Sequence, residues 1–370
     1  MKITFVLTVH LPDDERVWYQ QANALKNRGH EVSIISSKTE NTKLHNVICF
    51  NDLGLSKKVV IHKISNLLLE MKPEIIICDN PVSVIAAKKY KKIEKNKPTI
   101  IYDITEWYPS KINLQNLRVF KKIIKFFSLL FLSFYAGCMA DKFIFGEYHK
   151  GRAFRILFPW KRFIYLSYFA NIEFIKRYPV QEISNRCELF YAGNLTKANG
   201  FDKILKVAEK CAEKYPKTQF ILKVIATQEF DIIAYKKPQN FEIQIIEKMS
   251  FPDFCNEIGK SDIFLDLRRI DFIKNHSLPI KIFYYLAAGR PVIYSELKAI
   301  KKFFTKNEID NFGKLVDPDN IESIVEIVEN YINNLEYYNK CCNFSYEITK
   351  KKYHWNNIKQ FFIDFIEKND

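Results

Sequence analysis

Short apolar runs alternate with helix-length amphipathic stretches along the whole chain. "ITFVLTV" is followed by an amphipathic stretch from Glu15 to Arg28 and then by "HEVSIIS". Next come "EIIICDN", a basic helix from Val82 to Lys92, "TIIYDIT", a long helical stretch to Ala136 and "DKFIFGE". A second series opens at "CELFYAGN". It continues through a helix over 200–214, "QFILKVIA", "FEIQIIE", a helix over 252–260, "DIFLDL", a helix within "LPIKIFYYLAAG", "PVIYS", "FGKLVD" and a helix from Asn320. Continuous apolar runs of this kind predict parallel strands covered by helices on both faces. The expected fold class is therefore α/β, as two doubly wound, Rossmann-like halves. The polar connection "NIEFIKRYPVQEISNR" lacks periodicity and carries a proline. It sets the expected boundaries: a first domain over 1–170, a linker over 171–186 and a second domain over 187–350. The tail, 351–370, puts Trp355, Ile358, Phe361, Phe362 and Phe365 on roughly one helical face, and the first domain is the surface expected to receive it.

A length of 370 residues allows two such domains. The net charge of +15 favours a phosphate-bearing partner: nucleic acid, anionic lipid or a phosphorylated small molecule. Eight cysteines, none in a C-x-x-C pair and most within apolar runs, indicate reduced thiols in a cytoplasmic setting rather than disulfides or a zinc site. "MKITFVLTVH" runs straight into "DDERV" without a cleavage site, so it reads as a strand and not a signal peptide. "FFSLLFLSFYAGCMA" falls short of the roughly 20 residues a bilayer span needs. Residues 111–166 are nevertheless basic and aromatic, and "RVFKKIIKFFSLLFLSFY" mixes lysines with Phe and Leu as interfacial helices do. The expectation is a peripheral protein on the anionic inner face of the plasma membrane. No nucleic-acid module is recognisable, so nucleic acid is not an expected partner.

Ligands of this fold class bind at the carboxyl ends of the strands, and with two such halves in the cleft between them. The loops there hold His10 with Asp13, Asp14 and Arg16; Asp79 and Asn80; Asp103 with Glu106; and Gly193 with Asn194. Gly193 lets backbone approach a ligand, although no G-x-G-x-x-G is present. Lys281 is a cation in the first turn of a helix expected to begin at Pro279. The dipole there is positive, so the lysine implies either a nearby anion or a solvated side chain at a frayed helix start. Asp317 and Asp319 in "LVDPDN" read as a strand end and helix cap rather than a metal pair.

"HLPDDERVWYQQANALKNRGHEVSII", "YDITEWYP", "ADKFIF", "YAGNL", "SDIFLDL", "LPIKIFYYLAAGRPVIYSELKAI" and "GKLVDPDN" occur in the order and spacing of GT-B glycosyltransferases. The chain resembles family 4 and its bacterial polysaccharide relatives over nearly its whole length. The resemblance implies two Rossmann-like domains facing a central cleft, with a nucleotide-sugar on the second and an acceptor on the first. It implies a final helix over 351–370 that crosses back to the first domain. It implies sugar transfer to a lipid-linked or growing surface glycan, as in capsule or lipopolysaccharide synthesis, with no cofactor and no metal. The donor diphosphate would sit at Lys281, with Gly193, Asn194, Ser277, Tyr284, Tyr285 and Arg268 around the donor. Glu106, Asp14, Asp103 and His10 are the candidate catalytic groups, with Arg16 toward the acceptor.

Departures from the family pattern accompany the likeness. Tyr284 and His276 stand where family 4 carries glutamates, and Asn194 and Asn199 replace an expected Arg and Lys, with Lys197 out of register. Arg268 or Arg269 is left to substitute, and Thr105 occupies the place of a histidine. These changes imply an altered donor mode. They also leave two rival readings, a GT-B nucleotide-sugar epimerase and a non-catalytic GT-B partner of an active transferase.

Overall fold

A computed structural model describes residues 1–105, 114, 117–226, 238–247 and 249–368. The chain divides into two compact units, Met1–Tyr168 with Ile358–Asp370, and Phe169–Asn357. In the first, β1 (Lys2–Leu7), β2 (Glu31–Ser36), β3 (Val47–Cys49), β4 (Ile75–Cys78), β5 (Thr99–Ile104), β6 (Lys142–Phe145) and β7 (Phe163–Tyr165) form one sheet in the order β3-β2-β1-β4-β5-β6-β7. In the second, β8 (Arg186–Ala192), β9 (Gln219–Ala226), β10 (Phe241–Glu247), β11 (Ile263–Asp266), β12 (Val292–Ser295) and β13 (Gly313–Val316) take the order β10-β9-β8-β11-β12-β13. Among the described residues, every pairing between these strands is parallel. Strands such as β4 and β11 are buried along their whole length, as helices on both faces require.

Each sheet is wound outward in both directions from its first strand, so β1 lies between β2 and β4, and β8 between β9 and β11. Connections leave these neighbours in opposite directions, and a notch opens at the carboxyl end of the pair. The first unit's notch is bordered by helical stretches with clear sequence causes. Asn80 caps the helix Pro81–Ile93 through a reciprocal capping box with Ser83, and Pro81 supplies the preset first turn. Asp14 caps the stretch that follows β1, accepting from the amides of Arg16 (3.0 Å) and Val17 (3.2 Å).

The stretch from Glu15 departs from the regular helix expected. Glu15–Ala22 is a π-helix, and only Asn23–Asn27 is α-helical. The i to i+5 spacing brings Gln21 round to the side of Arg16, and both reach the same carboxylate, described below. The tail forms the helix Asn356–Glu367, and its last part groups with the first unit, where Glu367 meets Arg28 and His30 at 3.0 Å each. Phe362 and Phe365 are buried there, whereas Phe361, expected on the same face, is 56% exposed. Residues 171–186 group with the second unit: Ala170 bridges to His354, and the Phe174 and Phe251 rings meet at 5.6 Å.

Gly200 ends the turn after β8 in the left-handed region, at φ +76, and a Cβ there would lie 1.8 Å from the Leu267 carbonyl oxygen. Gly29 has a similar φ of +93 but nothing within 4 Å. Gly200→Ala is expected to destabilise the protein by more than about 1 kcal/mol, and Gly29→Ala by clearly less. Urea unfolding of both variants measures the difference.

Candidate functional site

The first-unit notch is organised by Asp79, which follows β4. Its carboxylate accepts the Thr8 amide (2.9 and 3.0 Å), the Val9 amide (2.9 Å) and the His10 amide (3.2 Å), with Ser83 Oγ donating at 3.3 Å. Three successive amides pointing at one carboxylate form an anion cradle filled by the protein itself. Asp79 therefore fixes the loop carrying His10 and Asp14. Burial still pushes its pKa up, against the attraction of His10 and those amides.

His10 projects from that loop. Its Nδ1 lies 3.4 Å from Asp14 Oδ2, and its Nε2 is 3.1 Å from Thr105 Oγ1. Burial opposes a charged ring here, but the hydrogen bond and charge of Asp14, then Asp79 and Asp103, outweigh it and raise the pKa to about 9. Asp14 is correspondingly held below its ordinary range: burial works against this, while His10 and the Val17 and Arg16 amides favour the carboxylate. At neutral pH the pair is an imidazolium beside a carboxylate. His10 can then give a proton to an oxygen, and Asp14 can accept one.

Asp103 is placed differently. Arg16 Nε and Nη2 clamp it at 3.0–3.3 Å, Gln21 Nε2 donates at 2.9 Å, and Arg16 Nη1 reaches the Leu166 carbonyl at 2.8 Å. Both partners are buried, and the Arg16 guanidinium lies 4.7 Å from the centre of the Tyr168 ring. Such a pair fixes geometry, and breaking it costs about 3–5 kcal/mol. Asp103 and Arg16 are thus committed to each other as a buried pair beside His10 and Asp14. Asp13 is exposed, and Glu106 lies outside the described residues.

In the second unit the helix begins at Lys281, two residues later than expected, after a tight turn in which the Ile282 amide meets the Pro279 carbonyl at 3.3 Å. At seven residues, Lys281–Ala287 is short, and the cation, not the helix end, is the feature of the notch. The Lys281 ammonium donates to the Ala192 carbonyl at the end of β8 and lies 6.0 Å from the centre of the Tyr191 ring. A Cβ on Gly193 would come within 2.6 Å of Tyr191 Oη and 3.1 Å of Lys281 Nζ, so glycine is what leaves this space to the ammonium. The ammonium therefore stands at the β8/β11 switch point.

Around it, Asp266 is fully buried at the end of β11. Arg268 clamps it through Nε (2.7 Å) and Nη2, and Tyr294 donates to it at 2.5 Å. Burial disfavours its charge, but Arg268, Lys281 and Tyr294 together keep its pKa below the ordinary range. Arg268, expected beside the diphosphate, is thus tied to Asp266 and Tyr294. Tyr285 is buried, stacks on Phe264 at 4.3 Å and accepts the Ala192 amide at 3.3 Å. Tyr284 is buried against Phe251 and Phe254. Tyr285 thus backs the end of β8 from within the core, while Tyr284 packs away from it against Phe251 and Phe254. Asn194 accepts Tyr191 Oη on its carbonyl at 3.0 Å, and the Ser277 amide closes a turn onto Lys274 at 3.3 Å. Among the described residues no cluster of three metal-ligating side chains occurs. Asp319 turns back onto Asp317 through its amide at 3.0 Å and pairs with Lys203 at 2.6 Å.

No protein-family model and no curated protein sequence match the chain. Solved structures do, along its full length. Sucrose-phosphate synthase from Thermosynechococcus elongatus is 10% identical, with a TM-score of 0.66 over 99% of this chain and 98% of its own. HepE of Anabaena, solved with UDP, is 13% identical, with a TM-score of 0.65 over 99% of each. The fold is GT-B. An α-glucosyltransferase solved with UDP and a 13-mer DNA is also 13% identical, with a TM-score of 0.62 over 100% of both chains. Several of the structures that this GT-B chain resembles hold UDP or UDP-glucose, and an α-glucosyltransferase among them holds DNA as well, so nucleic acid is not set aside as a partner.

Asp266 is the organising residue that sequence reasoning passed over, whereas Asp79 was named among the strand-end loops without a role. Each is an acid that closes an apolar run, Asp79 directly after β4 and Asp266 as the last residue of β11, which is the signal that marks it.

The raised His10 pKa carries a sign. Protonated His10 adds stability that is complete below 6.5, the ordinary value, and is lost as pH rises through about 9. Thermal melts between these values are expected to show a falling melting temperature, with the slope reduced in His10→Gln. An unchanged slope would remove the His10–Asp14 charge pair from the account.

Proposed function

We propose that this chain is a glycosyltransferase that moves a sugar from a nucleoside-diphosphate donor to a hydroxyl of a glycan or lipid-linked glycan. The observation that carries the reading is the Lys281 ammonium at the switch point of the second sheet, beside Gly193. A cation held there by the fold meets a diphosphate and stabilises it as a leaving group without a divalent metal. The UDP complexes among the structural neighbours support a uridine nucleotide as the first donor to test. His10 and Asp14 would serve the acceptor hydroxyl and the reacting centre, with Asp103 and Arg16 holding their loop. Glu106 stands as a further candidate from the family pattern.

A thermal-shift screen across UDP-, GDP-, CMP- and TDP-sugars, followed by mass detection of product, tests the reading. The acceptor panel includes lipid-linked glycan and duplex DNA. At least one donor is expected to raise the melting temperature, and turnover is expected to survive a chelator. Lys281→Ala is expected to lower turnover by about a hundredfold to a thousandfold with the fold retained. Wild-type turnover in that variant would overturn the role of the ammonium. Release of free sugar without acceptor would favour an epimerase. Failure of every donor to bind would favour a non-catalytic partner, a reading helped by the burial of Tyr284 where a glutamate is expected.

A further inference from the structure

The helix Val119–Met139 is long and apolar enough, by length and composition, to cross a bilayer. Its position excludes that use. It is the crossover between the parallel neighbours β5 and β6, and it is packed through Leu129, Ser133, Ala136 and Gly137. A Cβ on Gly137 would come within 2.7 Å of the Phe158 ring. Twenty-one residues span about 32 Å, whereas the strands beneath it span about 13–20 Å. The helix therefore overshoots the sheet. Because it runs antiparallel to β5 and β6, the overshoot lies at its N-terminal end, beyond the carboxyl edge where His10 and Asp14 sit.

Residues 118–128 are exposed without exception. At about 100° per residue, Arg118, Lys122 and Lys125 continue the body-facing line of Leu129, Ser133 and Ala136. The outward line is Phe120, Ile123, Ile124, Phe127, Phe131 and Tyr135. Phe120, Phe127 and Phe131 are 75%, 62% and 72% exposed, which a helix facing only water would not maintain. From Ser110 to Ala140 the sequence contains no Asp or Glu. A second copy docking here would bring two such cationic helices together, whereas an anionic surface complements them.

We infer that the N-terminal half of this helix is an interfacial anchor lying in the plane of an anionic bilayer. Its outward aromatic and aliphatic line enters the acyl boundary, and its lysines reach the lipid phosphates. This surface presents the carboxyl edge of the first sheet to the membrane, and it rests on exposure and charge, independently of the transferase reading. Flotation of the full chain with vesicles of phosphatidylcholine alone, or mixed equally with phosphatidylglycerol, tests it. Binding is expected only to the mixed vesicles. The variant K121Q/K122Q/K125Q is expected to bind about a hundredfold more weakly. F120S/F127S/F131S is expected to lose binding with an unchanged melting temperature, since these side chains face outward. Absence of wild-type binding to the mixed vesicles would overturn the inference. So would equal binding by either variant, or a wild-type dimer in light scattering that F120S/F127S/F131S abolishes.

Discussion

A parallel sheet wound both ways from its first strand must leave a notch where the two directions of travel part, and the candidate site in each unit of this chain is organised by the charge that fills it. At the β1/β4 notch the filler is internal: the Asp79 carboxylate takes the Thr8, Val9 and His10 amides. At the β8/β11 notch the fold instead brings a cation, Lys281, against the end of β8. One half thus holds its anion against backbone amides, while the other holds the Asp266 carboxylate among Arg268, Tyr294 and Lys281, and it is beside that lysine that the proposed function places a ligand's diphosphate. The difference in chemistry between two similar sheets follows from which side chain reaches the same topological point.

Around both notches, buried charges are arranged in pairs. Arg16–Asp103 and Arg268–Asp266 are the clamped examples, with Gln21 and Tyr294 satisfying remaining oxygen valences. Exchanging such pairs for apolar residues can be neutral or even favourable, so stability alone does not account for them. What they do supply is position. The π-helix at Glu15–Ala22 belongs to the same arrangement, because its wider turn allows Arg16 and Gln21 to converge on one carboxylate.

The class, and every strand except β3 and β7, were legible because most buried strands are largely apolar runs bounded by turn residues. What the sequence concealed was the direction of side chains at the strand ends. Arg268 pointed to a phosphate by type, yet a buried acid two residues earlier claims it. Tyr284 and Tyr285 looked like ligand contacts by position, yet both lie in the core, because the short helix carrying them is buried around most of its circumference. The long helix after β5 was read as too short for a span, since its apolar run was counted without the lysine-bearing turns that extend it to Val119. Long-range pairing of this kind is set by tertiary contact and leaves no periodic trace.

Calorimetric titration of the full chain with uridine, UMP and UDP, in the presence of a chelator, addresses the charge at the second notch most directly. The account predicts that affinity rises steeply with each added phosphate and that Lys281→Met abolishes most of the gain from UMP to UDP. Equal affinity for uridine and UDP, or an undiminished gain in the variant, would contradict it.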